Sequence, residues 1–171
     1  MTQQQQNGFE SQTLAAIDIG SNSIRMTIGQ LNPDGALDIL ERANRPVRLG
    51  RDCFRYFRLT PATMRAVVNI LREFKRRIDE YQVRHVWTAA TSAVREARNA
   101  DVFLDRILMA CGLQVQIIDA SQERRITVSA VRAAMNSSQM SFPGGQMMIC
   151  EVGGGSTTIT IMYRDKVISS H

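Results

Sequence analysis

Two short stretches of this chain pair a carboxylate with a glycine-and-hydroxyl turn. The first is Asp18 followed by Gly20, Ser21, Asn22 and Ser23; the second is Glu151 followed by Gly153, Gly154, Gly155, Ser156 and Thr157. Turn amides that lie outside a strand ladder, set beside hydroxyls, form a nest for an anion. Glycine lets the backbone come close to a phosphate. A carboxylate beside each turn can hold a divalent cation, directly or through water, that offsets the charge of that phosphate. The chemistry these residues suit is therefore the gripping of a phosphorylated group together with a cation. The bland alternative is a pair of ordinary hairpins whose glycines serve turn geometry alone.

The two stretches are copies of one pattern. Ile17-Asp18-Ile19-Gly20-Ser21-Asn22-Ser23 aligns without gaps on Cys150-Glu151-Val152-Gly153-Gly154-Gly155-Ser156. Each is an apolar strand, a carboxylate near its end, a glycine turn with a hydroxyl, and a second strand. Two related units opening on the same hairpin imply a shared cleft between the turns.

The elements that must position these turns follow from periodicity. Residues 14–19 read as a buried strand; Ile24, Met26 and Ile28 alternate with polar neighbours as a second; Asn32-Pro33-Asp34-Gly35 turns the chain into a third. Residues 42–58 read as an arginine-rich loop. Thr60-Pro61 opens a helix, with Met64, Val67, Leu71, Phe74, Ile78 and Tyr81 on its apolar face and Arg65, Arg72, Lys75, Arg76 and Asp79 on its solvated one. Strands over 83–89 and 113–118 alternate with helices over 92–98, from Asp101 to Gly112, and from Ser121 to 136. A linker over 136–145 leads to strands over 147–152, 159–163 and 166–170. A meander followed by alternating strands and helices is an α/β fold whose mixed sheet is part antiparallel and part parallel. Trp87, within a core strand, is expected to pack, and His85 to be structural.

Composition narrows the function classes. The 171 residues are 44% apolar and 22% charged, and 21 Lys and Arg against 16 Asp and Glu leave a net charge of +5. A positive balance favours an anionic partner. Cys53, Cys111 and Cys150 are few and far apart, which excludes a disulfide framework and a structural zinc site and predicts small buried residues. There is no apolar run long enough to span a bilayer and no charged-then-apolar leader, so no membrane association and a cytoplasmic location are expected. Phe54, Tyr56 and Phe57 among the arginines keep single-stranded nucleic acid binding open, but no nucleic-acid motif supports it. Those arginines either steer a polyanion or pair locally.

Three segments in order carry a family resemblance: residues 16–25, residues 90–99 (Ala-Thr-Ser-Ala-Val-Arg-Glu-Ala-Arg-Asn) and residues 151–157. They resemble the exopolyphosphatase and guanosine pentaphosphate phosphohydrolase (Ppx/GppA) family, within the superfamily of actin, sugar kinases and heat-shock ATPases. The resemblance implies a ribonuclease H-like (actin-like ATPase) first domain over residues 13–140, after a disordered tail over 1–12. A second domain of the same kind would begin at 141 and be cut short at 171. It implies hydrolysis of a terminal phosphoanhydride of polyphosphate or guanosine pentaphosphate with Mg2+, a homodimeric full-length protein, and a fragment inactive alone. It further implies that Asp18, Gly20, Ser21, Asn22 and Ser23 line the first phosphate loop and Gly153, Gly154, Gly155, Ser156 and Thr157 the second. Arg95 would contact phosphate, Glu123 would be the catalytic glutamate, and Glu151 with Asp18 would hold the metal. Glu123 also suits a first-turn acid complementing a helix dipole. Three departures are visible: the family has aspartate at Glu151, glutamate at Thr158, and Glu-Glu-Ala where this chain has Gln122-Glu123-Arg124. They leave a non-catalytic phosphate-binding module as the alternative.

Overall fold

A computed structural model describes residues 10–138, 145–164 and 166–170. β1 (Gln12–Ile19), β2 (Ser23–Leu31) and β3 (Leu37–Pro46) form the expected antiparallel meander. β4 (His85–Ala90) then pairs in parallel with β1, and β5 (Val115–Ile117) in parallel with β4, giving a mixed sheet of order β3-β2-β1-β4-β5. Alternation sets its inner face: Ala15, Ile17 and Ile19 on β1 and Ile24, Met26 and Ile28 on β2 are all buried. That face packs against α2 (Pro61–Glu80) and α4 (Ala100–Cys111), which contribute Met64, Val67, Leu71, Phe74 and Ile78, and Phe103 and Ile107.

Residues 42–58 are not a loop. β3 continues through Pro46, and α1 (Leu49–Tyr56) follows. Its buried side is Leu49, Gly50, Asp52 and Cys53, while Phe54 and Tyr56 are exposed, so only two of its four apolar or aromatic side chains mark the buried face. Asp52 fastens α1 to the start of α2, accepting bonds from the Thr60 amide (3.0 Å) and hydroxyl (2.6 Å). Burial pushes the Asp52 carboxyl up, but the bonds from Thr60 and Thr63 prevail and hold it below the ordinary range. Thr60 caps α2 as expected, its hydroxyl accepting from the Thr63 amide, with Pro61 in the first turn.

Other boundaries shift by a few residues. α3 (Ser92–Arg95) is one turn, shorter than expected. The N-cap of α4 is Asn99 rather than Asp101, and it makes no side-chain cap bond, its side chain being engaged with both backbone groups of Leu59 at 2.9 Å each. α4 ends on Gly112, in the left-handed region at φ 67°. α5 (Ala120–Ser137) is capped by Asp119, not Ser121, through a reciprocal box with Gln122. Residues 1–9 of the expected tail and 139–144 of the expected linker lie outside the described residues; Gln12 already pairs in β1.

β6 (Gln146–Val152), β7 (Thr157–Tyr163) and β8 (Lys166–Ser170) form a second antiparallel sheet. Thr160 and Met162 are buried on the face that α5 approaches, while Met148, Val152, Ile159 and Ile161 are exposed on the other. Two packing expectations fail. Trp87 is 43% exposed and its indole donates to Gln116 Oε1, because it lies on the sheet face opposite the helices. Cys150 is exposed for the same reason on the second sheet; Cys53 and Cys111 are buried as expected. No helix among the described residues is long and apolar enough to cross a membrane.

Candidate functional site

The internal repeat is a repeat in space. In the first copy the Gly20 amide donates to the Ser23 carbonyl at 3.0 Å; in the second the Gly153 amide donates to the Ser156 carbonyl at 2.8 Å. Each bond closes the turn joining two antiparallel strands and leaves the amides that follow the glycine outside it. The carboxylates hold equivalent ladder positions: Asp18 opposite Arg25, Glu151 opposite Thr158.

The two turns face each other across a cleft of about 300 Å³. Asp18, Gly20, Ser21, Asn22 and Ser23 line one side; Glu151, Gly153, Gly154 and Ser156 line the other; Glu123 enters from α5. Gly155 and Thr157 are not on its wall. Gly155 is packed instead: a methyl there would lie 2.4 Å from Phe54 Cζ and 2.7 Å from Ser92 Oγ. A methyl on Gly154 would lie 2.4 Å from the Asn22 amide nitrogen. Both glycines thus allow a close approach of the second turn to the first unit. Thr157 is the first residue of β7.

Arg95 stands behind Glu123 rather than on the cleft wall. One of its guanidinium nitrogens donates to the Ile118 carbonyl at 2.7 Å and lies 3.6 Å from a Glu123 oxygen. The carbonyl fixes the guanidinium, and the guanidinium in turn orients the acid. Glu123 occupies the first turn of α5 and also lines the cleft, so a place at the helix dipole and a place in the cleft coexist.

The acids repel one another. Burial raises the Glu123 carboxyl above its ordinary range; Arg95 opposes this, and Glu151 and Asp18 add to it. Burial raises Asp18 as well, with Arg25 opposing and Glu151 adding. A site that raises its own carboxylates is a site that a cation would relieve. Among the described residues no three acid, histidine or cysteine side chains meet as a ready-made chelate. That still suits a hard cation such as Mg2+, which keeps several waters and takes one or two carboxylates plus phosphate oxygens. Asp18 and Glu151 supply donors of that kind.

Several contributors were not singled out from sequence. Ser92, at the start of α3, forms a buried hydroxyl–hydroxyl bond with Ser21 at 3.0 Å. Thr91 and Arg25 also line the cleft. Thr127 donates to Glu151 Oε2 at 2.8 Å, and Arg124 donates to Ser170 Oγ at 2.9 Å, so α5 grips the second sheet one turn beyond Glu123. Arg25, Thr91 and Ser92 fall within the resembling segments 16–25 and 90–99, and the i, i+4 spacing of Glu123 and Thr127 puts both on one helix face.

Comparison with known proteins gives a consistent picture. The model of the Ppx/GppA phosphatase family matches residues 16–171. A guanosine-5'-triphosphate,3'-diphosphate pyrophosphatase of Vibrio vulnificus is 26% identical over 147 residues, which is 86% of this chain and 28% of that protein. Among solved structures, a Ppx/GppA family member from Aquifex aeolicus is 35% identical with a TM-score of 0.78, covering 94% of this chain and 50% of that one. An exopolyphosphatase from Cytophaga hutchinsonii is 25% identical with a TM-score of 0.79, covering 94% of this chain and 49% of that one. The chain thus spans between about a quarter and a half of the length of these relatives. The fold is α/β, of the ribonuclease H-like type found in actin-like ATPases.

Proposed function

The chain belongs to the Ppx/GppA phosphatase family, and from that premise we propose that its cleft binds the end of a phosphoanhydride chain, polyphosphate or guanosine pentaphosphate, for hydrolysis by the full-length protein. The observation that supports this reading most is the placement of both glycine turns and three carboxylates, Asp18, Glu123 and Glu151, around one cleft. The two turns and Ser21 would hold phosphate oxygens through amides and hydroxyls. Mg2+, held by Asp18 and Glu151, would supply charge neutralisation of the terminal phosphate. Glu123 would orient the attacking water and accept its proton, a task that a carboxylate raised by burial performs better than an ordinary one. Arg95 would keep that carboxylate aimed and add positive charge where phosphate charge shifts. A homodimeric full-length protein belongs to the same proposal.

Thr158 favours a second reading, a module that binds such anions without turnover. It stands opposite Glu151 in the ladder, where a carboxylate would have been a further acid at the cleft. Phosphate release from tripolyphosphate by the full-length protein, with Glu123→Gln as control, separates the two. Turnover lost in the variant supports hydrolysis; binding with Mg2+ and no release in either protein supports the module; no binding in either overturns both.

A further inference from the structure

A second cationic feature lies outside the cleft. α2 carries Arg65, Asn69, Arg72 and Arg76 on its exposed side, at spacings of four, three and four residues, so they form one stripe along the helix. Arg106 projects from α4 toward the same stripe. Arg65, Arg72 and Arg106 line a groove of about 280 Å³ floored by Met64, Val68 and Ala110, and no acid is among its lining residues. A neighbouring hollow adds Lys75 and Arg76, again without an acid. Of these, Lys75 is paired with Asp79, and Arg77 farther along α2 is paired with Glu41 and Glu80. Arg65, Arg72 and Arg106 form no ion pair among the described residues.

Three like charges around one depression repel. An anion is the group that would make the arrangement favourable. The groove is elongated along a helix that rises about 1.5 Å per residue, so Arg65 to Arg76 spans on the order of 16 Å. That suits a linear anion rather than a single phosphate ion. The floor carries no aromatic ring on which a nucleobase could stack, and Phe54, Tyr56 and Phe57 lie on α1 and in the residues just after it. The direction of the stripe adds to this. α2 leads through a short turn into β4, whose far end meets the first glycine turn, with the Thr91 amide bonded to the Ile19 carbonyl. The Arg65 end of α2 is therefore the end nearer the cleft, and Arg76 is the remote end.

We propose that the α2–α4 groove is an accessory site for the body of an inorganic polyphosphate chain, extending away from the cleft. The choice of ligand rests on the reading of the cleft given above; the existence of an anion groove does not.

The test is binding of polyphosphate of about one hundred units, and of tripolyphosphate, to the chain carrying Arg72→Gln and Arg106→Gln. Arg42→Gln with Arg84→Gln is the charge-matched control. The long chain should bind roughly tenfold more weakly to the groove variant than to the control, with the slope of log affinity against log salt reduced by about 1 per arginine. Tripolyphosphate affinity, reporting on the cleft, should be equal in both. The unliganded groove variant should unfold at the same or a higher temperature than wild type, which also verifies folding. Equal long-chain affinity in the two variants overturns the proposal. So does tighter binding of a single-stranded oligonucleotide than of polyphosphate to the same arginines. Failure of tripolyphosphate to bind at all, with the long-chain difference intact, overturns the cleft reading and leaves the groove standing.

Discussion

Gly155→Ala tests whether the second turn must come close to the first unit. The glycine has no positive φ to relieve, so the effect of the substitution is steric. The new methyl would stand 2.4 and 2.9 Å from two ring carbons of Phe54 and 2.7 Å from Ser92 Oγ. Carbon atoms pack best at about 3.5–4.0 Å, so the ring must retreat by roughly an ångström. Phe54 is 45% exposed and has somewhere to go; Ser92 is 6% exposed and bonded to Ser21. If the ring alone yields, the cost sits near the low end of the ~1–3 kcal/mol typical of overpacking. If Ser92 is also displaced, the lost hydroxyl bond adds about 0.5–1.5 kcal/mol. Phe54→Ala removes two of the three contacts and leaves the Ser92 one. In a double-mutant cycle, Gly155→Ala should therefore cost about 1 kcal/mol less in the Phe54→Ala background. Urea unfolding gives the stabilities, and titration with tripolyphosphate and Mg2+ reports whether the turn has been pushed off Asn22. An unchanged unfolding midpoint together with unchanged affinity would refute the close-approach argument.

The remaining predictions concern charge, alignment and surface. Because Asp18 and Glu123 are raised in the folded chain, the folded state holds more protons than the unfolded one above their ordinary values of 3.8 and 4.5. Stability of the unliganded protein should thus fall as pH rises from those values through the raised ones, and Asp18→Asn should flatten that fall and raise the unfolding temperature at pH 7; a steeper fall in the variant would contradict the sign. Mg2+ should raise the unfolding temperature of wild type more than that of Asp18→Asn, as read by thermal scans at fixed pH. Thr127→Val removes the bond to Glu151 and should weaken Mg2+-dependent tripolyphosphate binding several-fold, with a stability loss of about 1 kcal/mol; equal affinity would show that Glu151 needs no support. Light scattering should find wild type self-associating through the exposed Ile159 and Ile161 face, and Ile161→Lys reducing it; a monodisperse wild-type monomer would count against that.

The place of the cleft was legible because its pattern is written twice. The alignment of residues 17–23 on 150–156 points to matching turns and a shared cleft, and Thr60-Pro61 and Gly112 mark helix ends by local rules alone. What stayed hidden depends on the tertiary neighbour. Of the apolar and aromatic residues of α1, Leu49 and Cys53 are buried while Phe54 and Tyr56 are exposed, so periodicity could not separate it from a loop. Trp87 alternates correctly for a strand, but alternation does not say which sheet face carries helices. Asp119 and Ser121 are both capable caps, and the reciprocal bond of Gln122 decides between them. Phe54 and Thr127 matter only because residues about a hundred and about twenty-four positions away fold onto them.

α5 touches both halves of the cleft at once. Its first turn holds Glu123, and Thr127, one turn later, holds Glu151. A swing of one sheet against the other would therefore be felt at both acids, Glu123 being held to the first unit through Arg95 and Glu151 being tied to α5 through Thr127. α5 is thus the strut through which a displacement at either turn reaches the acid of the other unit.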